Sequence, residues 1–388
     1  MPGTDEFVYD PTRSDFQQNA HAIYRVLRDE RPVYENPATG IWALSRYADV
    51  RAAATDLAAF SSENTDITVG LLPQIQSMDP PRHDALRNLV SRAFTGRRAD
   101  AMEPRIRAIA RGLIDGFAAR GEADLMHEFA RHVPSLVIGE MIGVPEDRRE
   151  AFLDWTEAMV ESGEDRIQQT IQAATSIYAE FSKLLAERRT APRDDLMSAL
   201  VDAEIDGERL SEEDLLGFCF TLIVAGNDTT TNLIANGAVL LAEHPEQRAH
   251  LARTPAAIGN AIEEMVRCES PAQALPRRMM GDVTLHGRTI PKGAMVRLVW
   301  AAANRDEREF ANAESFDVTR PAPRHLGFGV GTHFCLGARL ARLEARVAFE
   351  ELLARLPDYE LTGDPGWKTS IWARSHKHVP VRFTARAD

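Results

Sequence analysis

Phe328-Gly329-Val330-Gly331-Thr332-His333-Phe334-Cys335-Leu336-Gly337 stands directly before a pattern in which Leu340, Leu343, Val347, Leu352 and Leu353 recur near helical spacing. Gly329 and Gly331, at alternate positions, let the backbone turn tightly through conformations closed to other residues. They can bring main-chain N–H groups toward the Cys335 sulfur. The helix expected from Ala338 onward puts that sulfur at a helix N-terminus. About half a positive charge collects there and favours thiolate over thiol. The segment is suited to hold a charged sulfur facing a ligand.

A second signal lies upstream. Ser211-Glu212-Glu213-Asp214 has the form of a helix start, with Ser211 as cap and Asp214 reaching back. From there a helical pattern runs roughly 30 residues, about 45 Å at 1.5 Å per residue, enough to cross a domain. Its middle reads Ala225-Gly226-Asn227-Asp228-Thr229-Thr230-Thr231. Gly226 and three successive threonines are poor helix formers. A buried acid there costs stability unless it is paired. Thr229 can bond the Ala225 carbonyl one turn back, a pattern that bends helices. Local propensity gives way at one spot, as happens at functional sites.

The cysteine window resembles the haem-binding loop of the cytochrome P450 family, matching it at Phe328, Gly329, Gly331, His333, Cys335 and Gly337. The resemblance spans nearly the whole chain, from Trp42 to Phe383. It implies a mainly α fold with a small β region, in a single domain over residues 1–388. The haem would lie between the long distal helix and the helix that follows the cysteine. The cofactor it implies is haem b, with Cys335 as axial ligand to the iron and Phe328, Gly329, Gly337 and Ala225 beside the ring. A cysteine thiolate in that position pushes electron density toward O–O cleavage. By the same resemblance Thr229 hydrogen-bonds dioxygen and Asp228 relays protons from solvent. Positioned proton donors typically contribute roughly 10²–10⁴-fold in rate.

Several weaker motifs gain meaning from the resemblance. His83 and Arg87 lie one turn apart and can grip one carboxylate group together. The resemblance assigns them to a haem propionate, along with His333 and with Arg277, five residues before Asp282; adjacent Arg278 is the alternative to Arg277. Glu264 and Arg267, three apart on a helix, share a face and can pair; the family likeness makes them a buried structural ion pair. Relatives also suggest a substrate pocket lined by Ile67, Val69, Leu71, Leu72, Thr221, Val224, Ala274, Leu275, Ile371 and Trp372. Most of these are apolar, which is the rule for ligand pockets and discriminates little among hydrophobic substrates. Met279-Met280 and Ser375 depart from residues usual at their positions, which bears on pocket shape.

Composition is consistent with this. The 388 residues are 44% hydrophobic, ample for a sizeable core, and carry no linker-like tract or repeat. The formal net charge of −13 argues against nucleic acid as a general partner, since phosphate binding needs a basic surface. Three widely spaced cysteines, Cys219, Cys268 and Cys335, argue against a disulfide framework and a cysteine-rich zinc site. No run reaches the roughly 18 apolar residues of a membrane span, and residues 1–18 show no signal-peptide pattern. A cytoplasmic protein is expected. Arg339, Arg342 and Arg346, with Arg92, Arg97 and Arg98, are candidates for a basic docking face or a solvated one.

Along the chain, a helix is expected over 17–29, a strand over 40–45 and a helix near Tyr47. A loop should cover 61–79, and helices should dominate from His83 to about Leu275. Residues 283–300 read as a strand pair with turns at His286-Gly287 and Pro291-Lys292-Gly293. Another loop follows over 321–332, with a strand at 379–383.

The resemblance implies a monooxygenase that inserts one atom of O₂ into a hydrophobic small molecule. Electrons would come from NAD(P)H only indirectly, through a ferredoxin and an NAD(P)H-dependent ferredoxin reductase. Two other readings exist. Cys335 with His333 nearby also suits an activated nucleophile of a hydrolase or acyltransferase, but that leaves Asp228 and Thr229 without a role. A haem protein that only senses ligands has no need of their proton delivery.

Overall fold

The computed structural model describes residues 7–63, 65, 72, 74–93, 96–160, 167–205 and 207–385. Ile67, Val69 and Leu71, expected at the substrate pocket, lie outside the described residues. The element that organises the rest is the helix Glu212–Glu243, 32 residues long. Its start is capped as expected: Ser211 Oγ accepts the Asp214 N–H at 3.1 Å, and the Ser211 hydroxyl donates to Asp214 Oδ2 at 2.8 Å. The helix continues without a break through Gly226 and the three threonines. Most of its residues between Leu215 and Leu241 are buried, and packing of this kind routinely overrides intrinsic propensity.

The helices packed against it include His132–Ile142, Arg149–Val160, Ile167–Thr190, Ile258–Cys268 and Ala338–Arg355. The last of these buries Leu340, Leu343, Val347, Leu352 and Leu353, the residues whose spacing announced it. The N-terminal helix is Phe16–Glu30, and a further helix covers Tyr47–Thr55.

A five-stranded sheet forms one flank. Its order is Val33–Glu35, Trp42–Leu44, Met295–Leu298, Leu275–Met279 and Phe60–Ser61. Met295–Leu298 runs parallel to Trp42–Leu44, with Val296 opposite Trp42, and antiparallel to Leu275–Met279, with Val296 opposite Arg277. A second sheet joins Glu360–Leu361, Pro380–Arg382 and Glu122–Asp124.

The expected strand pair over 283–300 is corrected here. Val283–Leu285 and Arg288–Ile290 form the hairpin, turning at His286 and Gly287, both with positive φ. Met295–Leu298 leaves it after Gly293 and becomes the central strand of the five-stranded sheet. Val296, Arg297 and Leu298 are all buried, because both neighbours and both faces of that strand are covered. Leu275–Met279 was missed as a strand: Pro276 and two arginines are weak strand formers. No helix among the described residues is long and apolar enough to cross a membrane.

Candidate active site

A cavity of about 360 Å³ separates the long helix from the cysteine-bearing loop and the helix behind it. Phe218, Leu222, Ala225, Thr229 and Leu233 line one wall at successive three- and four-residue steps, so a single stripe of Glu212–Glu243 faces the cavity. The opposite wall is Phe328, Gly329, Cys335 and Gly337, continued by Leu340 and Glu344.

The loop geometry follows from its glycines. Gly329 and Gly331 have φ of 69° and 73°, in the left-handed region that side chains disfavour. The resulting turn is closed by the Cys335 N–H donating to the Phe328 carbonyl at 2.8 Å, and by Gly329 N–H donating to Leu326 at 2.8 Å. Burial pushes the Cys335 thiol up from its ordinary pKa, while the N–H groups of Gly337 and Ala338 and the charges of Arg87 and Arg342 pull it down. Those N–H groups and cations are the features that stabilise a thiolate once a metal cation offsets the burial.

At one rim of the cavity stand His83, Arg87, Arg277 and His333. Arg277 is only 3% exposed, and its Nε has no partner among the described residues. Burial pushes its guanidinium down to about 10, against the pull of Asp79. Arg278, the alternative, is absent from the cavity wall. Burial, with the charges of Arg277 and His83, also lowers His333 to about 3; its ring lies 4.3 Å from that of His83, and its Nε2 lies 3.1 Å from Ser62 Oγ. Arg87 donates to the Phe334 carbonyl at 2.6 Å. A buried guanidinium without its own carboxylate invites an anion.

Haem fits these residues. Cys335 lines the cavity, and an orphaned guanidinium nitrogen and two imidazoles stand ready for propionates. A Cβ built on Gly337 meets nothing within 4 Å, so a flat ring can approach the backbone there. A family model described as Cytochrome P450 matches residues 148–253 and 258–361, over half of the chain.

The chain belongs to the cytochrome P450 family. It is 40% identical over 400 residues to a vitamin D(3) 25-hydroxylase of Pseudonocardia autotrophica, covering 99% of this chain and 98% of that relative. Among solved structures it is similar to the P450 CYP109Q5 of Chondromyces apiculatus, with a TM-score of 0.90, 38% identity, and 98% of this chain and 99% of that chain covered. CYP109E1 of Bacillus megaterium in complex with testosterone also gives a TM-score of 0.90, at 30% identity, covering 96% of this chain and 100% of that one. The enzyme is thus a P450 monooxygenase, of a family whose members carry haem.

In this P450 the acid and the alcohol of the long helix point to different places. Thr229 lines the cavity, and its hydroxyl donates to the Ala225 carbonyl at 2.8 Å, as the sequence suggested. Asp228 faces instead a polar recess of about 10 Å³ lined by Thr156, Glu157, Lys368 and Ser375. That is about the size of one water. Asp228 Oδ2 accepts from Asn232 Nδ2 at 2.8 Å. Buried oxygens of Asn227, Thr231 and Asn232 in the same recess have no partner among the described residues.

Of the expected substrate contacts, Thr221 and Leu275 line the cavity. Leu72 and Val224 pack partly buried against the cluster around Phe181 and Phe220. Ala274 is fully buried near Tyr24 and Ala301, which takes it off the cavity wall. Ile371 and Trp372 also lie off it: the Ile371 carbonyl accepts from Arg297, whose guanidinium sits 5.3 Å from the Trp372 ring centroid. Three of the arginines expected at a docking face are engaged: Arg339 pairs with Asp100, Arg342 with Glu263, and Arg346 with Glu103 and Glu350.

The residue that sequence reasoning missed is Glu344. It lies on the cavity floor, 2% exposed. Burial pushes its carboxyl up to about 8, against the pull of the Thr230 hydroxyl. The available signal was an acid on the buried stripe between Leu340 and Val347. The folded enzyme therefore keeps a proton that the unfolded chain loses above about 4.5. Stability falls as pH rises through that window, by roughly 1.4 kcal/mol per unit at most. Glu344→Gln is expected to melt with the parent near pH 5 and above it near pH 8. Parallel pH–Tm profiles of the two holoenzymes would contradict this.

Proposed function

We propose that this P450 acts as a single domain over residues 1–388, in which Cys335 would hold the iron of haem b in the cavity between Glu212–Glu243 and Ala338–Arg355. It hydroxylates or epoxidises a hydrophobic small molecule, taking electrons from a ferredoxin and its NAD(P)H-dependent reductase in the cytoplasm. The observation that carries this reading is one cavity with the Cys335 sulfur on one wall and Thr229 on the other. When bound, haem supplies the activation of dioxygen and the oxygen transfer.

The remaining work falls to the chain. His83, Arg87, Arg277 and His333 would hold the propionates and so orient the ring. Phe218, Leu222, Ala225 and Leu275 exclude water and favour an apolar substrate. Asp228, in its polar recess, holds protons arriving from the side of Lys368 and Glu157. Thr229 Oγ1 has its own proton engaged at Ala225, so it presents lone pairs to the cavity and accepts a hydrogen bond there. Exposed Arg339 stands one turn past Cys335, so a donor docked on that face lies close beneath the thiolate. The relative named for vitamin D(3) and the similar structure in complex with testosterone support steroid-like substrates.

The test is reconstitution with a ferredoxin, its reductase and NADPH, screened against steroids, vitamin D and fatty acids for products heavier by one oxygen. NADPH oxidation without any oxygenated product across the panel would count against the reading. Within the same assay Thr229→Ala is expected to keep haem and substrate binding yet lose at least about tenfold in product per NADPH, with hydrogen peroxide released instead. Loss of haem from that variant would show a structural residue.

A further inference from the structure

Outside the haem cavity, the described residues bring Asp124, His127 and His378 together, with one donor atom of each within 4.8 Å of the others. Asp124 ends the strand Glu122–Asp124, His127 lies in the π-helical turn Met126–Ala130, and His378 precedes the strand Pro380–Arg382. The two strands pair directly, with Pro380 opposite Asp124, so Asp124 and His378, 254 residues apart, are held in fixed register.

The carboxylate is already oriented. Its Oδ1 accepts N–H groups from Met126 at 3.0 Å and Val379 at 2.9 Å, which leaves Oδ2 directed at His378 Nδ1, 3.1 Å away. The two imidazole centroids are 5.2 Å apart. His127 Nε2 rests on the Lys377 carbonyl at 3.0 Å, the residue next to His378. His378 is 59% exposed, open to solvent and to an arriving ion. Backbone bonds to a ligating carboxylate are the kind of support that fixes metal ligands.

We infer that Asp124, His127 and His378 form a zinc site that ties the C-terminal strand to the strand and turn at residues 122–130. Zinc takes imidazole nitrogen at about 2.0–2.1 Å and carboxylate oxygen at about 2.0–2.2 Å in tetrahedral arrangement. With the donor atoms already within 4.8 Å of one another, side-chain rotation alone would bring three such ligands into place while the strand pairing stays intact, and a water would complete the fourth position. Two imidazoles and one carboxylate suit a borderline cation; calcium and magnesium require more oxygen ligands.

The experiment uses tag-free, chelator-treated holoenzyme titrated calorimetrically with zinc chloride and, separately, calcium chloride. One equivalent of zinc is expected to bind and raise Tm, with no matching heat from calcium. His127→Ala and His378→Ala should each weaken zinc binding at least about tenfold while the haem spectrum stays that of the parent. Absence of stoichiometric zinc binding, or equal affinity in parent and variants, overturns the site. Neither result bears on the haem assignment, which rests on different residues.

Discussion

Cys335→Ala is expected to abolish turnover and remove the red-shifted band that a thiolate ligand gives the reduced carbon-monoxide complex. The fold should survive, because the loop is closed by the Cys335 N–H and the Phe328 carbonyl, which alanine retains. No other cysteine can substitute. Cys219 and Cys268 are buried outside this cavity, and burial pushes both thiols up to about 12. An alternative donor is His333, neutral and on the cavity wall. Capture of iron by that imidazole would leave coloured protein with a different spectrum and no thiolate push. Persistence of the parent's carbon-monoxide spectrum in the purified variant would remove Cys335 from the iron. Absorbance of reduced samples with and without carbon monoxide decides it.

The two helices bounding the cavity were legible because each carries its own punctuation. Ser211 with Asp214 marked one start, and the turn through Gly329 and Gly331 marked the other. Hydrophobic spacing then carried both helices to their ends, since their burial is what sets that spacing. Strand pairing was harder to read. Leu275–Met279 brings Arg277 to the cavity only through its antiparallel register with Met295–Leu298, a contact no local pattern encodes. The direction of Asp228 was likewise hidden. A helix turns about 100° per residue, so neighbouring Asp228 and Thr229 face different compartments, and only the packing of Lys368 and Ser375 shows which is which. Glu344 escaped because an acid among leucines resembles a surface residue until the helix is docked. Ala274, Ile371 and Trp372 were expected to line the pocket on likeness alone; their side of the chain packs against Tyr24 and Arg297 instead.

Arg267→Ala is expected to prevent accumulation of haem-loaded enzyme. Arg267 and Glu264 are both fully buried and paired at 2.7 and 2.8 Å. The guanidinium also donates to the carbonyls of Asn304, Ala313 and Ser315. Glu264 in turn accepts from Arg320 Nε at 3.1 Å and the Asp317 N–H at 3.0 Å. Asn304 is the link to the site: its side chain takes the Leu326 N–H at 2.6 Å, and the Leu326 carbonyl takes the Gly329 N–H that starts the cysteine turn. Removing one partner of such a pair strands a buried charge, at about 3–5 kcal/mol, against a total stability of about 5–15 kcal/mol. Arg267→Lys should not rescue, because one ammonium cannot meet two carboxylate oxygens and three carbonyls spread around a planar fork. For the same reason the double variant Glu264→Leu with Arg267→Met, which removes the charges together, should stay unstable: the Asn304 and Ala313 carbonyls lose their side-chain donor, and only the Ser315 carbonyl keeps others, from Arg320 and Cys268. The measurements are haem per polypeptide and Tm. A double variant as stable as the parent would show that only the charge pair matters, and that the cysteine turn stands without this support.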